Sequence, residues 1–236
     1  MTEAQRLSKR LIEQLQCSRR EAELLIEGGW VMVDGVVVEE PQFKVLDQTI
    51  TVHPDAQASP IEPVTILLNK PAGLSTAAAQ ALITAPSRAA DDRSQTRMLK
   101  RHFFGLQAIM PLETAACGLC VFSQDFRVIR KLTEDAYKIE HEFVVEVSGS
   151  IAPDGLALLN HGLSFNGRAL PPIKVSWQNE TRLRFALKAV QAGQIAHMCK
   201  TVGLQVLNMK RIRIGRQPMA SLQPGQWRYL PAHEKF

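Results

Sequence analysis

The chain has 236 residues, 45% of them hydrophobic and 22% charged, with a formal net charge of +5, enough for one large domain or two unequal ones. No run of about eighteen apolar residues occurs, which excludes a membrane-spanning helix, and the Met1-Thr2-Glu3-Ala4-Gln5-Arg6 start is followed by no secretory-type apolar stretch. Residues 1–52 carry a net −3, whereas residues 182–236 hold ten Lys/Arg against Glu234 alone, a net +9; a basic C-terminal third points to a polyanionic partner, a solvated basic surface being the plain alternative.

Residues 6–16 read as a short helix, with Leu7, Leu11 and Leu15 at spacing four and Ile12 beside them. Ser18-Arg19-Arg20-Glu21 has the form of a capping box that opens a second helix. Ala22, Leu25 and Ile26 give that helix its apolar face, and Gly28-Gly29 ends it. Trp30-Val31-Met32-Val33 and Val36-Val37-Val38 flank Asp34-Gly35, a strong hairpin signal, and Thr49–Val52 supplies a third strand. Arg19 and Arg20 lie in the first turn of a helix, where a cation is disfavoured by roughly 0.3–1 kcal/mol. A phosphate backbone lying across that turn would account for both arginines, as would plain exposure to water.

Residues 54–63 are Pro-rich and aperiodic, as in a linker. Beyond them, Val64–Asn69, Gly118–Ser123, Phe143–Val147, Arg182–Leu187 and Met209–Gly215 read as strands, the last with Arg211 and Arg213 on one face. Residues 77–98 show little apolar periodicity and read as a helical or mobile excursion, and Gln194–Val202 reads as a helix ended by Gly203. Strands and helices alternate without a βαβ rhythm or a glycine-rich phosphate loop, so the expected class is α+β. The four cysteines, at 17, 117, 120 and 199, are sparse and irregular, which suits a reducing cytoplasm. Cys120 opens an apolar strand, so the Cys117/Cys120 pair reads as core; with no ligand spacing among the histidines, no metal site is expected.

The order Arg6-Leu7-Ser8-Lys9, Cys17-Ser18-Arg19-Arg20-Glu21-Ala22, Leu25-Ile26 and Gly29–Gly35 resembles the S-four-type RNA-binding module. The rest of the chain resembles the RsuA-like branch of bacterial pseudouridine synthases, RluF-like members most of all. Asn69-Lys70-Pro71-Ala72-Gly73 matches that family's opening strand and turn. Pro111–Leu119 lies where the family carries Gly-Arg-Leu-Asp-x-x-Thr-x-Gly-Leu, and His141-Glu142-Phe143 where it carries Lys-x-Tyr. Gln194–Cys199 lies where it carries Gln-Ile-Arg-Arg-Met-Cys, and the tail from Lys210 to Arg228 matches well. The resemblance implies a small module over residues 1–53, a linker over 54–63, and a pseudouridine-synthase-like domain over 64–236 with a central mixed or antiparallel sheet flanked by helices.

It also implies an activity, the isomerisation of uridine to pseudouridine in structured RNA, ribosomal RNA or tRNA, without a cofactor. In the family an aspartate attacks the flipped-out uridine, the glycosidic bond breaks, the base turns, and C5 rejoins the ribose. A tyrosine stacks on the base and is a candidate proton acceptor, and an arginine orients the aspartate. Here the aspartate position is Glu113, whose extra methylene displaces the carboxylate by about 1–1.5 Å, an error that can cost about a hundredfold. The tyrosine position is Phe143, which stacks but moves no proton. The arginine position is Ala196, followed by His197, and the arginine before the aspartate is replaced by Pro111. Two readings follow: a synthase that uses Glu113, with His197 available to orient it, or an RNA-binding paralogue that has lost the chemistry. Lys9, Arg10, Arg19, Arg20, Arg211 and Arg213 are the candidate RNA contacts. Proteins built on this module often act as monomers, which is the expectation here.

Overall fold

A computed structural model of the chain describes residues 4–236. The chain divides into two units, one comprising the residues up to Pro63 together with Arg97–Gly105, the other Val64–Thr96 and Leu106–Phe236.

The first unit opens with helices α1 (Leu7–Leu15) and α2 (Arg19–Glu27). The capping box is formed: Glu21 N donates to Ser18 Oγ at 3.2 Å, and Ser18 N donates to Glu21 Oε2 at 2.8 Å. Strands β1 (Val31–Val33) and β2 (Val36–Val37) make a hairpin across Asp34 and Gly35, whose φ angles of 50° and 80° are those of a type I′ turn. Strand β3 (Ile50–Val52) pairs antiparallel with β1, which makes β1 the middle strand. Leu7, Leu11, Ala22, Leu25, Ile26, Val31 and Val33 share one core. The apolar stripe of α1 ends sooner than its spacing suggests, for Leu15 is 41% exposed in the last turn.

Residues 97–105 belong to this unit, not to the 64–236 domain in which the sequence places them. The Arg97 guanidinium lies 3.7 Å above the Trp30 ring and donates to Gly29 O at 2.6 Å. Leu99 is buried beside Gly29, and Lys100 reaches Glu39 through its amide and Glu40 through Nζ. The segment is a strap that finishes the wall of the small unit.

The second unit is built on a nine-stranded sheet. Its strands are β4 (Thr65–Lys70), β5 (Gln107–Ile109), β6 (Cys117–Ser123), β7 (Glu140–Gly149), β8 (Lys174–Asn179), β9 (Arg182–Lys188), β10 (Leu204–Ile214) and β11 (Trp227–Tyr229), with Gln217–Pro218 pairing to the end of β10. The main path runs β8-β9-β7-β10-β6-β4-β11, and β5 pairs with β6. Only the β10–β6 join on that path is parallel, so the sheet is mixed and the class is α+β. Helices α3 (Phe126–Glu134), α4 (Gly155–Asn160) and α5 (Gln194–Thr201) belong to the same unit.

The excursion after β4 is ordered. A short turn of helix over Thr76–Ala79 and 3-10 turns over Gln80–Leu82 and Ala85–Ser87 lead to Arg88, whose guanidinium lies 4.9 Å from the Tyr229 ring centre. Ala89 N donates to Trp227 O, and Trp227 Nε1 donates to Thr84 O at 2.7 Å. The segment thus covers edge strand β11, leaving it unavailable for stray pairing.

One irregularity positions the site. Arg211 lies opposite Phe143, but the β10–β7 register shifts before Arg213, which lies opposite Glu142. This bulge corrects the expectation that both arginines share a face: the extra residue turns Arg213 to the Glu142 side and leaves Arg211 on the Phe143 side.

Candidate functional site

The segment Met110–Ala116 carries Glu113, and contacts along its length fix its backbone. Arg211 Nη2 donates to Met110 O at 2.8 Å. Thr76 Oγ1 donates to Leu112 O at 3.1 Å and accepts from Leu112 N at 2.8 Å. Gly73 N donates to Thr114 O at 2.8 Å, and Lys70 Nζ donates to Leu74 O and Ala116 O, each at 2.6 Å. Lys70 has no exposed surface, and burial lowers its pKa. Its ammonium and the Arg211 guanidinium serve as internal hubs for carbonyl groups, an arrangement that holds a loop in one conformation before any ligand arrives.

Gly118 allows the hub at Arg211 to form. Its φ is +107°, and a Cβ there would overlap the Arg211 backbone on the adjoining strand. Arg211 is 1% exposed, donates through Nε to Leu119 O at 2.8 Å, and has no carboxylate partner among the described residues. Arg213 pairs instead with Glu140 at 2.5 Å and Glu142 at 2.6 Å. Neither arginine is a free surface cation: Arg211 is enclosed in the core, and Arg213 is held in a carboxylate network.

Glu113 is half-buried, and its Oε1 accepts from Gly193 N at 2.8 Å. Gly193 has φ +75° and caps the N-terminus of the Gln194–Thr201 helix, where peptide dipoles favour an anion. Glu113 lines an open cleft of about 450 Å³ with Phe143, His141, Ile195, Met209 and Arg211. Phe143 is 2% exposed and shares a face of β7 with His141, their rings 6.3 Å apart and inclined by 28°. His141 is 4% exposed, and its Nδ1 has no hydrogen-bond partner. Burial, then the charges of Arg211 and Arg213, push its pKa down to about 3, so the ring is neutral at neutral pH.

Ala196 is exposed while its neighbour Ile195 lines the cleft. His197 does not orient Glu113: its Nε2 lies 3.1 Å from Ser164 O, and its ring packs 5.3 Å from that of Phe165. The Gly193 amide holds the carboxylate instead, a contact across 80 positions that no local pattern announces. His141 was legible only as the residue two before Phe143 on an alternating strand. Cys117 and Cys120 are free thiols; Cys120 is buried, and burial pushes its pKa up.

In the first unit, Lys9, Arg10, Arg19 and Arg20 are all exposed. Arg19 pairs with Glu23 at 2.8 Å. Lys9, Arg10 and Arg20 have no carboxylate partner among the described residues.

The S4 domain family matches residues 5–49. An RNA pseudouridine synthase of Aquifex aeolicus, itself described as uncharacterized, is 26% identical over 97% of this chain and 94% of its own. Ribosomal small subunit pseudouridine synthase A of Vibrio cholerae is 25% identical over 97% of each. The dual-specificity RNA pseudouridine synthase RluF of Salmonella typhi is 25% identical over 97% of this chain and 76% of its own. A crystal structure of a pseudouridylate synthase matches the fold with a TM-score of 0.60 at 18% identity, covering 96% of both chains. No helix among the described residues is long and apolar enough to cross a membrane. With an S4 domain match at its N-terminus and likeness over nearly its whole length to these enzymes, the chain is similar to the RsuA-like RNA pseudouridine synthases and shares the pseudouridine synthase fold.

Proposed function

We propose that this protein binds structured RNA, ribosomal RNA or tRNA, as a cytoplasmic monomer and isomerises a uridine to pseudouridine, with Glu113 in the role of the family aspartate. The observation that carries this reading is that Glu113 and Phe143 line one open cleft. A flipped-out uracil lying on Phe143 would have a carboxylate beside it. The longer glutamate is matched by a changed partner: the Gly193 amide at 2.8 Å takes the orienting role that an arginine at position 196 would have had. The clamps from Lys70, Thr76 and Arg211 supply the fixed backbone that such an attack needs. Lys9, Arg10, Arg19 and Arg20 would meet the RNA phosphates on the S4 domain, and no cofactor is required.

The second reading, an RNA-binding paralogue without turnover, is favoured by one observation. Residue 143 offers no proton-accepting atom, and Ala196 places no charge in the cleft. Tritium release from C5-labelled ribosomal RNA and tRNA, transcribed unmodified, separates the two. Release by the wild type that persists in part in Glu113→Asp and vanishes in Glu113→Ala supports the synthase. Intact RNA binding with no release from any labelled RNA overturns it in favour of the silent paralogue.

A further inference from the structure

His141 is a polar side chain of the cleft whose role is unassigned. His141 is enclosed at the cleft wall, and Nδ1 makes no hydrogen bond. An imidazole buried in this way loses its water contacts without replacement, a cost that calls for an explanation. Core packing is a poor one, because a leucine or phenylalanine beside Phe143 would pack there without the penalty. His141 also stands two residues from Phe143 on the same face of β7, its ring close to parallel with the phenyl ring. A flat heterocycle resting on Phe143 would therefore lie beside the imidazole.

We propose that His141 is the base-contacting residue of this cleft, hydrogen-bonding the polar edge of a uracil that lies against Phe143. The inference rests on the reading of the cleft as a uridine site. Nδ1 is the nitrogen with no partner in the protein, so it is the one that a polar edge of the base would complete. Proton acceptance is a different role, and the electrostatics argue against it. Burial and the charges of Arg211 and Arg213 hold the ring neutral down to about pH 3, so it is a weak base at neutral pH but keeps its hydrogen-bonding capacity. His141 thus supplies a polar contact in a cleft where Phe143 has none to give, and it leaves the attacking carboxylate to Glu113.

The test uses the full chain and uridine 5′-monophosphate as probe, followed by imidazole ¹⁵N shifts and by titration. The proposal predicts that the nucleotide shifts a His141 ring nitrogen. It also predicts that His141→Leu weakens binding about five- to tenfold, the worth of one hydrogen bond, and that His141→Gln, which restores a polar amide, recovers most of the loss. A role in packing alone predicts the reverse order, with leucine tolerated better than glutamine. If the nucleotide perturbs Phe143 and Ile195 while the His141 ring shift and the His141→Leu affinity stay unchanged, the proposal fails and the uridine-site reading survives. If millimolar nucleotide perturbs none of the three residues, both fail.

Discussion

The two units use the same kind of side chain in opposite ways. In the small unit Lys9, Arg10 and Arg20 stand in solvent with no carboxylate partner among the described residues. In the large unit Lys70 and Arg211 are enclosed, each donating to backbone carbonyls around the Glu113 loop. An exposed cation is available to a phosphate and contributes little to the fold. An enclosed one is unavailable to RNA, and removing it leaves buried carbonyls unpaired. Net charge by segment cannot make this distinction, because it counts Arg211 and Arg20 alike.

The comparison breaks most clearly at Arg211. Arg211→Met is expected to destabilise the protein by about 3 kcal/mol or more, since the Met110 and Leu119 carbonyls lose their donor in the interior. Chemical denaturation measures this, and a loss below about 1 kcal/mol would mean that the guanidinium is not a structural hub. His141 gives the next effect, through pH. Its folded pKa lies near 3, below its ordinary value of 6.5, so the unfolded chain binds the extra proton first. The stability it contributes is present above about pH 6.5 and falls toward the folded pKa at about 1.4 kcal/mol per pH unit. Denaturation between pH 7 and about pH 5, above the carboxylate range, should show that slope in the wild type and a flatter one in His141→Leu.

Arg97→Ala should destabilise the protein by about 1–2 kcal/mol through loss of the Trp30 stack and the Gly29 bond, seen as a lower unfolding midpoint. At the other end of the scale, Arg20→Gln should leave stability within about 0.5 kcal/mol of wild type. Its effect should appear in RNA binding, as a reduction of about one in the slope of log affinity against log salt. An unchanged slope would remove Arg20 from the RNA surface.

Local features were the legible ones. The Ser18/Glu21 capping box, the Asp34-Gly35 turn and the apolar runs of β4 and β6 each announce themselves within a few residues, and each has formed. Strand β8 escaped notice because Lys174–Asn179 offers only Val175 and Trp177 as apolar positions, too few to set a period. The bulge beside Arg211 escaped because one inserted residue reverses a face without changing the pattern around it. In the site, the substitutions at 113, 143 and 196 were readable by position, but the replacement for the missing arginine was not. The Gly193 amide is a backbone group, identical in every sequence, and only the fold brings it to Glu113.

The strap has a consequence for how the small unit comes into being. Residues up to Pro63 do not make up the whole of it, because Arg97, Leu99 and Lys100 cover Gly29, Trp30 and the Glu39-Glu40 pair. During synthesis from the N-terminus, the S4 domain therefore cannot reach its final form until the chain through Gly105 has emerged. Nor is it a cassette that can be cut at the linker and moved to another protein. A fragment ending at Pro63 would carry a bare tryptophan face and an empty leucine socket, and any graft must bring the strap with it.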